Sequence, residues 1–206
     1  MQLSTGPRSV SQIAYRDALC GGIGKRIEPF IILVDDRQFH PLSPRRSEIT
    51  IETIAYGCAG EPRFAGHTRP RYFVAEHCVR VSRLLAQWGY SPKVQLAGLL
   101  HDAAEGLGFR DLPSPVKRAP RMAGYRVAER NCQRVVYRKF GLPPWEPVAV
   151  KRADMVLLAT ERRDVKRATI WDRDLPAPLP GRIKPWSSRR AEREFLKRFR
   201  ELGGRS

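Results

Sequence analysis

The sequence predicts an all-α fold, a helical bundle with one small β-hairpin near its N-terminal end. Three observations lead there. From Ser47 onward, apolar residues recur at the three- and four-residue spacing of amphipathic helices. Ser-Pro and Thr-x-Pro starts alternate with Gly and Pro stops, which cut the periodic stretches to helix length. The strand signal is confined to Ile31 to Val34 and Arg37 to His40, joined by Asp35 and Asp36 and closed by Pro41, which reads as a short hairpin.

The elements follow in order. Residues 1–28 mix Ser, Gly, Arg and Pro with little periodicity, so a flexible or irregular arm is expected there, with residues 29–206 as a single domain. GGIGK at 21–25 lacks the first glycine of a phosphate loop, has Arg26 where Ser or Thr belongs, and precedes no helix signal; it reads as a glycine-rich turn. Ile51, Ile54, Ala55 and Cys58 share one face of a first helix. Thr68 as cap and Pro70 in the first turn predict a second, with Val74, His77, Cys78, Val81, Leu84, Leu85 and Trp88 as its buried stripe and Gly89 as its stop. Ser91 and Pro92 open a third helix carrying VQLAGLLHDAAEGL, apolar on nearly every side and therefore expected at the centre of the core. Ser114 and Pro115 open a short turn of helix. Tyr125, Ala128, Cys132, Val135, Val136 and Phe140 mark a long amphipathic helix ended by Gly141. Pro147 begins the next, with Val150, Asp154, Leu157, Leu158 and Glu161 along its stripe, and after the Pro-rich LPAPLPGRIKP a last helix runs through Ala191, Phe195 and Phe199.

Composition narrows the function. Hydrophobic residues make up 42% and charged ones 29%, which excludes a wholly disordered chain. Lys and Arg number 38 against 21 Asp and Glu, and the net charge of +17 favours anionic partners: nucleic acid, a membrane surface or phosphorylated metabolites. Cys20, Cys58, Cys78 and Cys132 form no C-x-x-C pair, so free thiols are expected, and neither a zinc knuckle nor a disulfide framework. No signal-peptide or membrane-spanning run is evident, and a cytoplasmic location with no membrane partner is expected.

The chemistry is carried by His77, His101, Asp102 and Asp154, polar residues on or beside apolar stripes. Asp154 has Val150 at i−4 and Leu158 at i+4, so neither position supplies a base, and an ionised carboxylate taken from water needs a cation. Two imidazoles and two carboxylates make a mixed nitrogen and oxygen shell suited to a divalent transition ion. A single helical histidine is usually a hydrogen-bonded core residue. Here a consecutive His-Asp pair in an apolar segment is flanked by one candidate ligand on a preceding helix and another on a following one, and helix packing can unite them.

The order H77, H101-D102, D154 resembles the H…HD…D signature of HD-domain metal-dependent phosphohydrolases. The segments RFAGHTRPRYFVAEH, LAGLLHDAAE, DLPSPVK and VKRADMVLLATERRD are similar, in order, to those of the small 5′-deoxynucleotidases of that family and their phage relatives, including dATP triphosphohydrolases; the likeness spans roughly residues 40 to 200. It implies an HD-domain helical bundle, phosphate-ester hydrolysis on deoxynucleotides, and a homo-oligomer. The cofactor implied is a divalent ion, manganese, cobalt or another transition metal, with magnesium as an alternative. His77, His101, Asp102 and Asp154 match the metal ligands and Glu105 the acidic catalytic residue; one helical turn beyond His101, Glu105 would share its face. Arg63 matches the arginine that faces the phosphate. Asp111 and Lys117 match a loop that closes over sugar and phosphate, and His67 lies near the pocket by motif. Phe64 stands where many relatives have Trp, in the place where an aromatic ring leaves no room for a 2′-hydroxyl.

The resemblance favours a 5′-deoxynucleotidase, with a dNTP triphosphohydrolase as the near alternative. From another class comes a nucleic-acid-binding module, resting on Arg162, Arg163, Lys166, Arg167 and the basic last helix. A solvated charged face is the simpler account of those residues.

Overall fold

The computed structural model describes residues 28–166 and 175–204. The expected arm therefore lies outside the described residues, apart from Glu28, whose carboxylate pairs with Arg45. So do GGIGK, Cys20 and Arg167.

The hairpin forms as read. β1 (Ile31–Ile32) pairs antiparallel with β2 (Gln38–Phe39), Ile31 opposite Phe39, and Phe39 is buried in the core. α1 (Ile51–Gly60) is capped by the Thr50 hydroxyl, which accepts from the Thr53 N–H, and it buries the stripe of Ile51, Ile54, Ala55 and Cys58. α2 (Val74–Gln87) starts later than the sequence suggests. Between Thr68 and Val74 the chain is drawn into a loop, with the Arg63 N–H donating to the Tyr72 carbonyl and the Val74 N–H to that of Glu61. Thr68, the expected cap, has a buried hydroxyl with no hydrogen-bond partner among the described residues.

α3 (Pro92–Leu99) is capped by Ser91 but stops at Leu99, so VQLAGLLHDAAEGL is not a single helix. His101 and Asp102 occupy a turn, and a 3-10 segment (Ala103–Leu107) follows. The cause is a side chain from elsewhere. In a continued α-helix the Leu100 carbonyl would accept from the Ala104 N–H. Gln133 engages both groups instead: its Nε2 donates to the Leu100 carbonyl at 2.6 Å, beside the Ala103 N–H that closes a 3-10 turn on the same oxygen, and its Oε1 accepts from the Ala104 N–H at 3.1 Å. The 3-10 segment then lies against α1, where Gly57 meets Gly106 so closely that a Cβ on Gly57 would overlap the Gly106 carbonyl.

The remaining helices are α4 (Ser114–Arg118), α5 (Ala123–Lys139), α6 (Val148–Glu161), which continues as a π turn (Arg162–Lys166), and α7 (Ser188–Glu201). The central helix is α2, not α3: ten of its fourteen residues are buried, and it packs against α1, α3, α6 and α7. α7 closes the bundle with Ala191, Phe195 and Phe199 buried, while Arg198 donates to the Ser82 hydroxyl and to Gln95. Cys58, Cys78 and Cys132 are buried free thiols. Among the described residues no helix is long and apolar enough to cross a membrane.

Candidate metal centre

Three stretches distant in sequence meet beside α2. His77 projects from the middle of α2, His101 and Asp102 from the turn after α3, and Asp154 from α6. The Nε2 atoms of His77 and His101 face each other at 3.2 Å, and Asp102 Oδ2 lies 3.2 Å from His101 Nε2 and 3.7 Å from His77 Nε2. These three donors lie within 4.8 Å of one another. Asp154 stands at their side, its Oδ1 3.3 Å from His77 Nε2. Its other oxygen accepts from Lys151 Nζ at 2.7 Å, so although i−4 and i+4 supply no base, i−3 does.

The other nitrogen of each ring decides whether the set suits a metal. His101 Nδ1 lies 2.9 Å from the Gly98 carbonyl, an acceptor only, so this nitrogen carries the hydrogen. His77 Nδ1 contacts Glu161 Oε1, again as donor. With both Nδ1 atoms donating, both Nε2 lone pairs are turned toward the shared point, the orientation that outer-shell partners impose on metal-binding histidines. Electrostatics agree. Burial works against charge on His101, but Asp102 beside it more than reverses that and lifts its pKa well above the usual value, so the surroundings of Nε2 favour a positive charge, a proton or a cation in its place. Burial likewise opposes ionisation of Asp154, yet the two imidazoles hold it well below the ordinary carboxylate range. A divalent cation fits this donor set.

Arg63 reaches the same point from the loop before α2. Its Nε donates to Glu161 Oε2 at 3.1 Å and its Nη1 to Asp102 Oδ2 at 3.3 Å. Burial works against its charge, and Glu161, Asp111 and Asp102 more than compensate. Glu161 is therefore the residue that ties His77 to Arg63. Sequence reading placed it on the α6 stripe and gave it no role. Its only signals were a carboxylate seven residues after Asp154 on an apolar face, and its complete burial shows that it is not solvated.

Glu105 lies in the 3-10 segment and not on a helix continuous with His101, so the two do not share a helical face as the sequence suggests. It is buried, its Oε1 is 3.6 Å from Lys117 Nζ, and its Oε2 has no hydrogen-bond partner among the described residues. Burial, reinforced by the charges of Asp102 and Asp111, raises its pKa well above the usual value. Asp111 and Phe64 come together: the Phe64 N–H donates to Asp111 Oδ2 at 2.8 Å. Phe64, Ala65 and Gly66 all have left-handed backbones, φ of 56°, 52° and 76°. Two more bonds join the same strands of chain, Asp111 N–H to Glu61 Oε1 and Arg110 Nη1 to Glu61 Oε2. The Arg63 guanidinium lies 5.6 Å from the centre of the Phe64 ring. His67 is exposed and lines a neighbouring cavity of about 490 Å³ with Thr68, Arg69 and Lys166.

Much of the basic tract is engaged within the chain. Arg163 pairs with Asp164 and donates to the Leu179 and Gly181 carbonyls, Lys166 donates to the His67 carbonyl, and Arg190 stacks on Trp186.

Comparison with known proteins agrees with the donor geometry. The HD domain family model matches residues 74–168, from the start of α2 to just past the π turn. The chain is 33% identical over 177 residues to the uncharacterized protein YfdR of Escherichia coli, an alignment covering 84% of this chain and 95% of that one. It is 37% identical over 125 residues to an uncharacterized protein of Rhodobacter capsulatus, covering 59% of this chain and 63% of the relative.

Proposed function

This chain belongs to the HD-domain family, a family of metal-dependent phosphohydrolases, and on that premise we propose that it hydrolyses deoxynucleotides, with 5′-deoxynucleoside monophosphates as substrates. The observation that carries the reading is the convergence of His77 Nε2, His101 Nε2 and Asp102 Oδ2 on one point, with Asp154 and the Arg63 guanidinium at its edge.

His77, His101, Asp102 and Asp154 would hold the ion. When bound, a divalent cation supplies Lewis-acid activation of water and of phosphoryl oxygens. The chain supplies the rest. Arg63, fixed by Glu161 and Asp102, presents a pre-oriented guanidinium to the phosphate and offsets charge that grows during attack. Glu105, whose pKa burial and the charges of Asp102 and Asp111 push up, can exchange a proton with the leaving 5′-oxygen or with water. Phe64 places its ring where a ribose 2′-hydroxyl would be buried without a partner, at a cost of roughly 1 to 3 kcal/mol.

The test is metal analysis of the purified protein, followed by phosphate release from matched dNMP, NMP and dNTP panels. We expect a bound divalent ion, turnover of dNMPs ahead of NMPs, and loss of both metal and turnover in Asp154→Ala. Full turnover by that variant, or after exhaustive chelation, would overturn the proposal. One observation favours a triphosphate instead: the cavity at His67 adds Arg69 and Lys166, and no carboxylate, beside the loop that carries Arg63. Release of tripolyphosphate from dNTPs, in place of orthophosphate from dNMPs, would mark that alternative.

A further inference from the structure

α5 enters the sequence reading only through its apolar stripe, yet it also carries a polar row. Tyr125, Glu129 and Gln133 are spaced by four, and Arg126 sits beside them. Each bonds to the stretch between Leu100 and Ala119, which holds His101, Asp102, Glu105, Asp111 and Lys117. The Tyr125 hydroxyl donates to the Arg110 carbonyl at 3.1 Å, and Arg126 Nη1 donates to the carbonyls of Lys117 at 2.7 Å and Ala119 at 2.8 Å. Gln133 takes the Leu100 carbonyl and the Ala104 N–H. Three of the four thus hold backbone. Glu129 alone holds a side chain: its Oε1 lies 2.5 Å from Lys117 Nζ.

Lys117 stands between two carboxylates, at 2.5 Å from Glu129 and 3.6 Å from Glu105. The shorter contact determines where the ammonium sits, and Glu105 Oε2 is left buried with no partner. We propose that Glu129 is a positioning residue of the reaction, one that holds Lys117 near Glu105 without letting it close on that carboxyl, so that Glu105 Oε2 stays free for substrate or water. The inference rests on the phosphohydrolase reading above and deepens it. It acts through Lys117, since among the described residues Glu129 makes no hydrogen bond or ion pair with the three converging donors and lies on a helix that carries none of them.

The experiment is a double-mutant cycle with Glu129→Gln and Lys117→Met, run on the best substrate of the deoxynucleotide panel, together with amine acylation of Lys117 followed by mass spectrometry. Glu129→Gln should lower kcat by about tenfold with little change in KM, as expected when an interaction of the transition state is lost and ground-state binding is kept. In the Lys117→Met background the same change should have no further effect. Losing a carboxylate neighbour should raise the free-amine fraction of Lys117, and its acylation rate, by about tenfold or more. Additive effects in the cycle, or an unchanged acylation rate, would overturn the proposal. Labelling requires no turnover, so a protein that hydrolysed nothing would sink the phosphohydrolase reading, whereas an unaltered Lys117 would sink this one.

Discussion

Glu161 is fully buried and accepts from two groups at once, His77 Nδ1 and Arg63 Nε. Burial would push its pKa up, but Arg63 and His77 outweigh burial and keep it ionised. One carboxylate therefore fixes the tautomer of His77 and the plane of the Arg63 guanidinium. In Glu161→Gln a single amide oxygen cannot replace both oxygens, and we expect metal affinity to fall about 10- to 100-fold, the usual effect of losing an outer-shell partner. Titration against a chelating indicator measures it, and undiminished affinity would remove Glu161 from the account of the site. That the four candidate ligands stand out in the sequence while Glu161 does not has a physical reason. His-Asp in an apolar segment is conspicuous because both residues are costly there, whereas the value of Glu161 depends on partners 84 and 98 residues away. Lys151 was within reach of local reasoning, but at i−3, where a survey of i±4 does not look.

At the scale of the element, the turn holding His101 and Asp102 is shaped from two sides. Gln133 interrupts the helix from one, and the Gly57–Gly106 contact with α1 limits it from the other. Gly57→Ala should force the 3-10 segment away from α1, costing about 1 to 3 kcal/mol as overpacked sites do. Gly60→Ala, with nothing within 4 Å of a new Cβ, is the control on the same helix and should not destabilise. Urea denaturation of the two variants checks the difference; equal midpoints would mean that the close approach carries no constraint. Several boundaries were readable because they are local: Ser91 caps α3, and Gly89 and Gly141 have the positive φ of helix stops, whereas the start of α2 was misplaced because Thr68 is drawn into a loop. The break after Leu99 was not, since an unbroken apolar run reads as helix until the glutamine that interrupts it is placed in space.

Across the whole molecule, Asp164 ties the end of α6 to the Pro-rich loop. It accepts from Arg163, from Arg182 and from the Ile183 N–H, with its side chain 2% exposed. Burial raises its pKa, but these partners outweigh burial and bring it from 3.8 to about 2. A carboxyl depressed in the folded state contributes stability above its unfolded pKa and loses it as pH falls toward the folded one. The Tm difference between wild type and Asp164→Asn should therefore be full at neutral pH and shrink between about pH 4 and about pH 2. A gap constant through that window would show that the loop is held by other contacts. The three bonds between residues 61–64 and 110–111 have a mechanical meaning as well. They cross-brace two lips of the site, so a fluctuation that lifts Phe64 carries Asp111 with it. Arg63, hooked behind to Asp102 and Glu161, is the pin on which such a motion would turn.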